Sequence, residues 1–128
     1  MSGASEKKIL NDTLVAVSKL TGSLFYRNNT GQAWQGRNVT PPVGQYVKVV
    51  PGMMILADAR IIRFGLPGSG DIKGSFRGRA VDIEIKAAIG RQSTVQTNYE
   101  RAWTLAGGIY ILARSPHEAV DSLNRLCK

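Results

Sequence analysis

The chain has 128 residues, 43% of them hydrophobic and 20% charged, a balance that predicts one folded domain and excludes wholesale disorder. Seventeen Lys and Arg against nine Asp and Glu give a net charge of +8, which suggests a polyanionic partner, most simply nucleic acid, over a basic surface serving only solubility. One Cys and one His exclude an intrachain disulfide and the usual zinc site, so any catalytic metal must be held by oxygen, as magnesium is.

The first eight residues lack the apolar stretch of a signal peptide, and no apolar run approaches the roughly 20 residues of a membrane-spanning helix. The expectation is a cytoplasmic protein with no membrane partner. Residues 5 to 20 read as a helix capped by Ser5, with Leu10, Leu14 and Val17 on one stripe and Gly22 as its stop. Leu24-Phe25-Tyr26 predicts a short strand running into the polar segment 27–31. A loop follows around Pro41-Pro42-Val43-Gly44. Three apolar runs come next: Tyr46 to Val50, Met53 to Ala57, and Arg60 to Phe64 after a predicted turn at Asp58-Ala59.

Asp71 to Phe76 and Arg79 to Ala87 read as strands, and Val81, Ile83 and Ile85 alternate with Asp82, Glu84 and Lys86. Ser93 caps a helix to about Ala106, with Val95, Tyr99, Ala102, Trp103 and Ala106 on one stripe. Gly107-Gly108 ends it, and Ile109 to Ala113 forms a buried strand. Ser115-Pro116-His117-Glu118 is a capping box opening a last helix to about Leu126. This order predicts an α/β fold, a mixed β-sheet flanked by helices.

A two-residue turn at Arg77-Gly78 pairs Phe76 with Arg79 and, counting back, Asp71 with Glu84. Directly opposed residues share a face, and Lys86 lies on it too. Opposed like charges are destabilising, so the pair needs either solvated Arg and Lys neighbours or a divalent cation as its countercharge. The glycine-rich segment 65–70 is not a Walker phosphate loop, because Asp71 stands where that motif needs lysine.

The ordered set Gly65-Leu-Pro-Gly-Ser-Gly-Asp71, Glu84-Ile85-Lys86 and Ser93-Thr-Val-Gln96 resembles the VRR-NUC branch of the PD-(D/E)xK nuclease superfamily, in particular its small virus- or phage-type members. The likeness runs from Glu6 to about Ser115. It departs at Gly70, where the family usually has proline. The resemblance implies a restriction-endonuclease-like core forming a single nuclease domain over residues 1–128. It also implies hydrolysis of phosphodiesters with Mg2+ or Mn2+, in a bacterial or phage-infected cell. Asp71, Glu84 and the backbone carbonyl of Ile85 would bind the metal, and Lys86 would act on the attacking water. Gln96 would match the family's helical glutamine, although Ser93-x-x-Gln96 is equally a capping box. Glu6 would match an N-terminal acidic ligand; otherwise it is a first-turn glutamate favoured by the helix dipole.

Arg91, Arg77, Arg79, Lys73 and Arg63 are the predicted phosphate contacts, with Arg91 foremost because it precedes a helix N-terminus. Tyr26 and Trp34 are candidates for base stacking or for the core. Small members of the family resembling this chain are associated with junction resolution. This implies a homodimer on branched or four-way DNA, with Met53-Met54-Ile55-Leu56 as a dimer surface or a buried strand. The alternatives are a non-catalytic nucleic-acid-binding module on a nuclease-derived fold, or a small structural protein.

Overall fold

The computed structural model describes residues 3–40 and 44–127. Its chain order is α1 (Glu6–Ser18), β1 (Ser23–Arg27), β2 (Gly31–Asn38), β3 (Leu56–Phe64), β4 (Ile72–Phe76), β5 (Arg79–Ile85), α2 (Thr94–Leu105), β6 (Ile109–Ala113) and α3 (Pro116–Leu126). Each helix starts where a serine hydroxyl satisfies an orphan amide: Ser5 accepts from Lys8, Ser93 from Gln96 and Ser115 from Glu118. At the third start the return arm differs from the predicted box, because the Glu118 carboxylate accepts from the N–H of Arg114.

The chain forms two compact units, one made of residues up to Thr30 together with those from Gly65 onward, the other of residues 31–64. The first holds a four-stranded sheet in the order β1-β4-β5-β6, antiparallel except that β6 runs parallel to β5 after the α2 crossover. It is the mixed sheet flanked by helices that the element order predicts. Val81, Ile83 and Ile85 join Ile72, Phe76 and Ile111 against the stripe of α1 and α3, which supplies Ile9, Leu10, Val17, Ala119 and Leu123. Truncating a fully buried member such as Leu123 to alanine removes about 2–5 kcal/mol.

The opposite face of β5 carries Asp82 and Glu84, and it is not the solvated surface that alternation suggests. Asp82 is 0% and Glu84 3% exposed. From α2, Gln96 reaches Glu84 directly and Tyr99 reaches Lys73, the partner of Asp82. Of the predicted α2 stripe only Tyr99 is buried and Trp103 half-buried, whereas Val95, Ala102 and Ala106 stay exposed. The β4–β5 hairpin has the expected register, Ile72↔Ile83 through Phe76↔Arg79. Arg77 and Gly78 close it with φ of 51° and 80°, the left-handed pair of a tight hairpin turn.

The unit 31–64 corrects the sequence reading most. Gly31–Asn38, where the sequence reading placed no element, is β2, and it pairs antiparallel with β3 in a two-stranded ribbon. The runs at 46–50 and 53–55 are not strands, and Met53 and Met54 are exposed, not a buried core strand. Asp58-Ala59 is no turn between strands. Asp58, at φ 54°, sits inside β3 where the register shifts between Gln35 and Arg37, so it forms a bulge. Of the loop predicted at 41–44, residues 41–43 lie outside those described. Among the described residues no helix is long and apolar enough to cross a membrane.

Candidate active site at the open end of the hairpin

Asp71 and Glu84 lie one step beyond the last ladder pair of β4 and β5, where the strands open away from their turn. Three contacts fix the approach to Asp71. Asn28, just past β1, donates its backbone N–H to the Asp71 carbonyl at 2.8 Å. Its side-chain amide donates to the Gly70 carbonyl at 2.8 Å and to Ser69 Oγ at 2.9 Å. Gly70 itself packs so closely on β5 that a Cβ there would sit 1.8 Å from Asp82 Oδ1 and 2.7 Å from the Ile83 carbonyl. Glycine at this position therefore tightens the approach to Asp71, the reverse of the looseness its small size suggests.

The Asp71 carboxylate accepts from the N–H of Ile85 at 2.8 Å, which sets it beside Glu84. Glu84 Oε1 accepts from Gln96 Nε2 at 2.7 Å, and Lys86 Nζ stands 3.6 Å from the same oxygen. Lys86 is held on the sheet by its own N–H, which donates to the Ala113 carbonyl. The two alternatives for Gln96 prove compatible. Its Oε1 accepts from the N–H of Ser93, completing the capping box, while its Nε2 holds Glu84.

Burial raises the proton affinity of both carboxyls. For Asp71 the Ile85 N–H pulls against burial, and Glu6 adds to the rise. Glu84 is pushed up to about 8, first by burial and then by the Asp71 charge, against the pull of Lys86. The site is thus short of positive charge. A hard divalent cation fits it: two carboxylates supply hard oxygen donors, and waters, a main-chain carbonyl or a phosphate complete such a shell. Glu6 is exposed and turns toward the β5–α2 loop, with Oε1 3.4 Å from the Ala87 N–H. Among the described residues no three His, Cys, Asp or Glu side chains gather as a ligand cluster.

The predicted phosphate contacts separate. Arg91 is exposed two residues ahead of the Ser93 cap, close in sequence to Lys86 and Gln96. Arg77 and Arg79 are also exposed but stand at the hairpin turn, roughly 20 Å along the strands from Asp71. They are therefore not beside the carboxylates. Arg63 lies exposed on β3, in the unit 31–64. Lys73 departs from the expectation altogether. Its ammonium is turned inward, 2.8 Å from Asp82 Oδ2 and 2.6 Å from Tyr99 Oη, and lies 4.2 Å from the centre of the Trp103 ring.

No protein-family model matches the chain, and no curated protein does. The site must speak through its own chemistry. Sequence reasoning missed Asn28, Asp82 and Tyr99. Asn28 stands in the row Asn28–Asp71–Glu84 across three strands, and only the β1–β4 pairing brings it there. Asp82 alternates in phase with Glu84 and so had a visible signal; Tyr99 was legible as a stripe residue of α2 but not as the partner of Lys73, which holds Asp82.

Proposed function

We propose that the protein is a magnesium- or manganese-dependent endonuclease that hydrolyses phosphodiester bonds, on a restriction-endonuclease-like core of the VRR-NUC type. The observation that carries this is the Asp71–Glu84 pair: a buried and a half-buried carboxylate held side by side, with a single lysine 3.6 Å from one of them. A purely structural hairpin gains nothing from opposed like charges. When bound, a divalent cation would supply the missing charge, acidify a water and polarise a phosphoryl oxygen. Support for the core comes from the element order, in which the Asp strand and the Glu-x-Lys strand form a hairpin followed by a helix and a parallel strand.

The chain's own groups divide the remaining work. Asp71 and Glu84, with the backbone carbonyl of Ile85, would hold the cation. Ile85 N–H and Gln96 Nε2 fix the two carboxylates so that little reorganisation is left for the reaction. The Lys86 ammonium orients the attacking water and neutralises charge that develops on the phosphorus oxygens. Arg91 takes a flanking phosphate, positioning DNA without reading its sequence. The substrate is branched DNA, preferentially the four-way junction. The acting form is a homodimer, because symmetric resolution needs two incisions related by a two-fold axis.

The test is cleavage of matched duplex, flap, splayed-arm and four-way junction DNA with and without Mg2+ or Mn2+. Metal-dependent incision, fastest on the junction, is expected. No cleavage of any of these at protein excess refutes the assignment. Salt-dependent binding that persists without cleavage, unchanged by Asp71→Ala, would leave the non-catalytic binding module in its place.

A further inference from the structure

On the α2 side of the sheet, side chains stand in rows across the strands, each row two residues from the next. The first row holds Asn28, Asp71 and Glu84; the second Tyr26, Lys73 and Asp82; the third Leu24 and Ser75. Over β5 the second row is covered by Tyr99, whereas over β1 the sheet is open. Leu24 is 74% and Tyr26 56% exposed there. With Lys73, Ser75 and the half-buried Trp103 they line a cleft of about 290 Å3. Its one cation, the half-buried Lys73, is already matched by Asp82, so the cleft is a largely apolar slot without net charge, with the exposed Tyr26 ring at its mouth.

We propose that this cleft takes an unstacked nucleobase, that of a nucleotide adjoining the phosphodiester held at Asp71 and Glu84. The inference rests on the nuclease reading for the place of the phosphate. Three observations point to a nucleotide over another apolar occupant. Successive rows are about 7 Å apart, the reach of one sugar from a phosphate to its own base. The slot offers an aromatic face with hydroxyls of Tyr26 and Ser75 beside it, which suits a flat heterocycle with polar edges. The chain's charge of +8 draws in a polyanion, not a free apolar ligand. A base inside a continuous duplex is paired and stacked on both faces, whereas one at a branch point can lose a stacking neighbour and is more readily drawn out. Selectivity for branched DNA would then reside beside the carboxylates themselves.

The experiment uses the full chain carrying Trp34→Phe, which leaves Trp103 as its single tryptophan. Its emission is followed during titration, in EDTA, with single-stranded (dT)8 and with a blunt hairpin duplex. Saturable quenching by (dT)8 is expected, at about tenfold lower concentration than by the duplex. Adding Tyr26→Ala should weaken (dT)8 about tenfold, and Tyr26→Phe should restore it. Tyr26 is surface-exposed, so both variants should keep the circular dichroism spectrum of the parent. Absence of quenching, quenching unaltered by Tyr26→Ala, or equal response to the duplex overturns the proposal. Parallel cleavage assays separate the two ideas. Cleavage without Tyr26-dependent quenching removes the cleft and leaves the nuclease; Tyr26-dependent quenching without cleavage does the reverse.

Discussion

Replacing Lys73 with methionine gives the sharpest test of how the sheet face under α2 is built. Asp82 is fully buried, and among the described residues Lys73 is the sole hydrogen-bond partner of its Oδ2, while its Oδ1 has none. Burial opposes the Lys73 charge, yet the bonds to Asp82 and Tyr99 outweigh it and raise its proton affinity. Methionine keeps the stem and deletes the ammonium, leaving a carboxylate that solvent does not reach. Breaking one side of such a pair costs about 3–5 kcal/mol, and losing the cation over Trp103 adds about 1 kcal/mol. Against a typical total of roughly 5–15 kcal/mol this is about a quarter or more of the stability. In urea it should lower the midpoint by about 2 M with little change in slope. Asp82→Asn in the same chain keeps the shape against Gly70 and removes the stranded charge, so the double variant should recover most of the loss. A Lys73→Met protein within 1 kcal/mol of the parent, or a double variant as unstable as the single, would refute this account.

Gly70→Ala should destabilise by more than about 2 kcal/mol in the same assay, since its Cβ has no room beside Asp82 and the Ile83 carbonyl. Because Glu84 is raised from 4.5 to about 8, the folded chain binds that proton more tightly than the unfolded chain. Without metal, the associated stability is full below about pH 4.5 and is lost as pH rises through 8. The whole shift corresponds to about 5 kcal/mol, reduced to roughly 2 kcal/mol by the solvent that still reaches the half-buried Asp71. Melting curves from pH 5 to 9 should show the slope, Glu84→Gln should flatten it, and Mg2+ should oppose the loss at pH 8. Asp71→Ala and Glu84→Ala should abolish cleavage while sparing junction affinity in a gel-shift titration, whereas Lys86→Ala should slow cleavage by several orders of magnitude.

What the sequence discloses follows from how locally each feature is encoded. The helix starts at Ser5, Ser93 and Ser115 are written within four residues, and all three form. The hairpin register follows from the Arg77-Gly78 turn and a period of two, so the meeting of Asp71 and Glu84 is readable without coordinates of any other element. The ribbon at 31–64 is not readable in this way. Gly31–Asn38 is polar and becomes a strand through backbone bonds to β3, whereas the more apolar 46–50 finds no strand to pair with. Lys73 fails for a related reason. An alternating strand marks which residues share a face, but only the return of α2 decides whether that face meets water or Tyr99 and Trp103.

Gln96 has a consequence for which amino acids this position accepts. As a helix cap it needs only a side-chain oxygen, and glutamate would serve as well as glutamine. With that oxygen committed to Ser93 N–H, the amide is locked in one orientation and can present only its NH2 group to Glu84. Glutamate would cap the helix equally well and bring a third negative charge against two carboxylates already short of a cation. Two neighbours that ask for different ends of one side chain thus narrow the choice to a single residue, although each alone would leave it open.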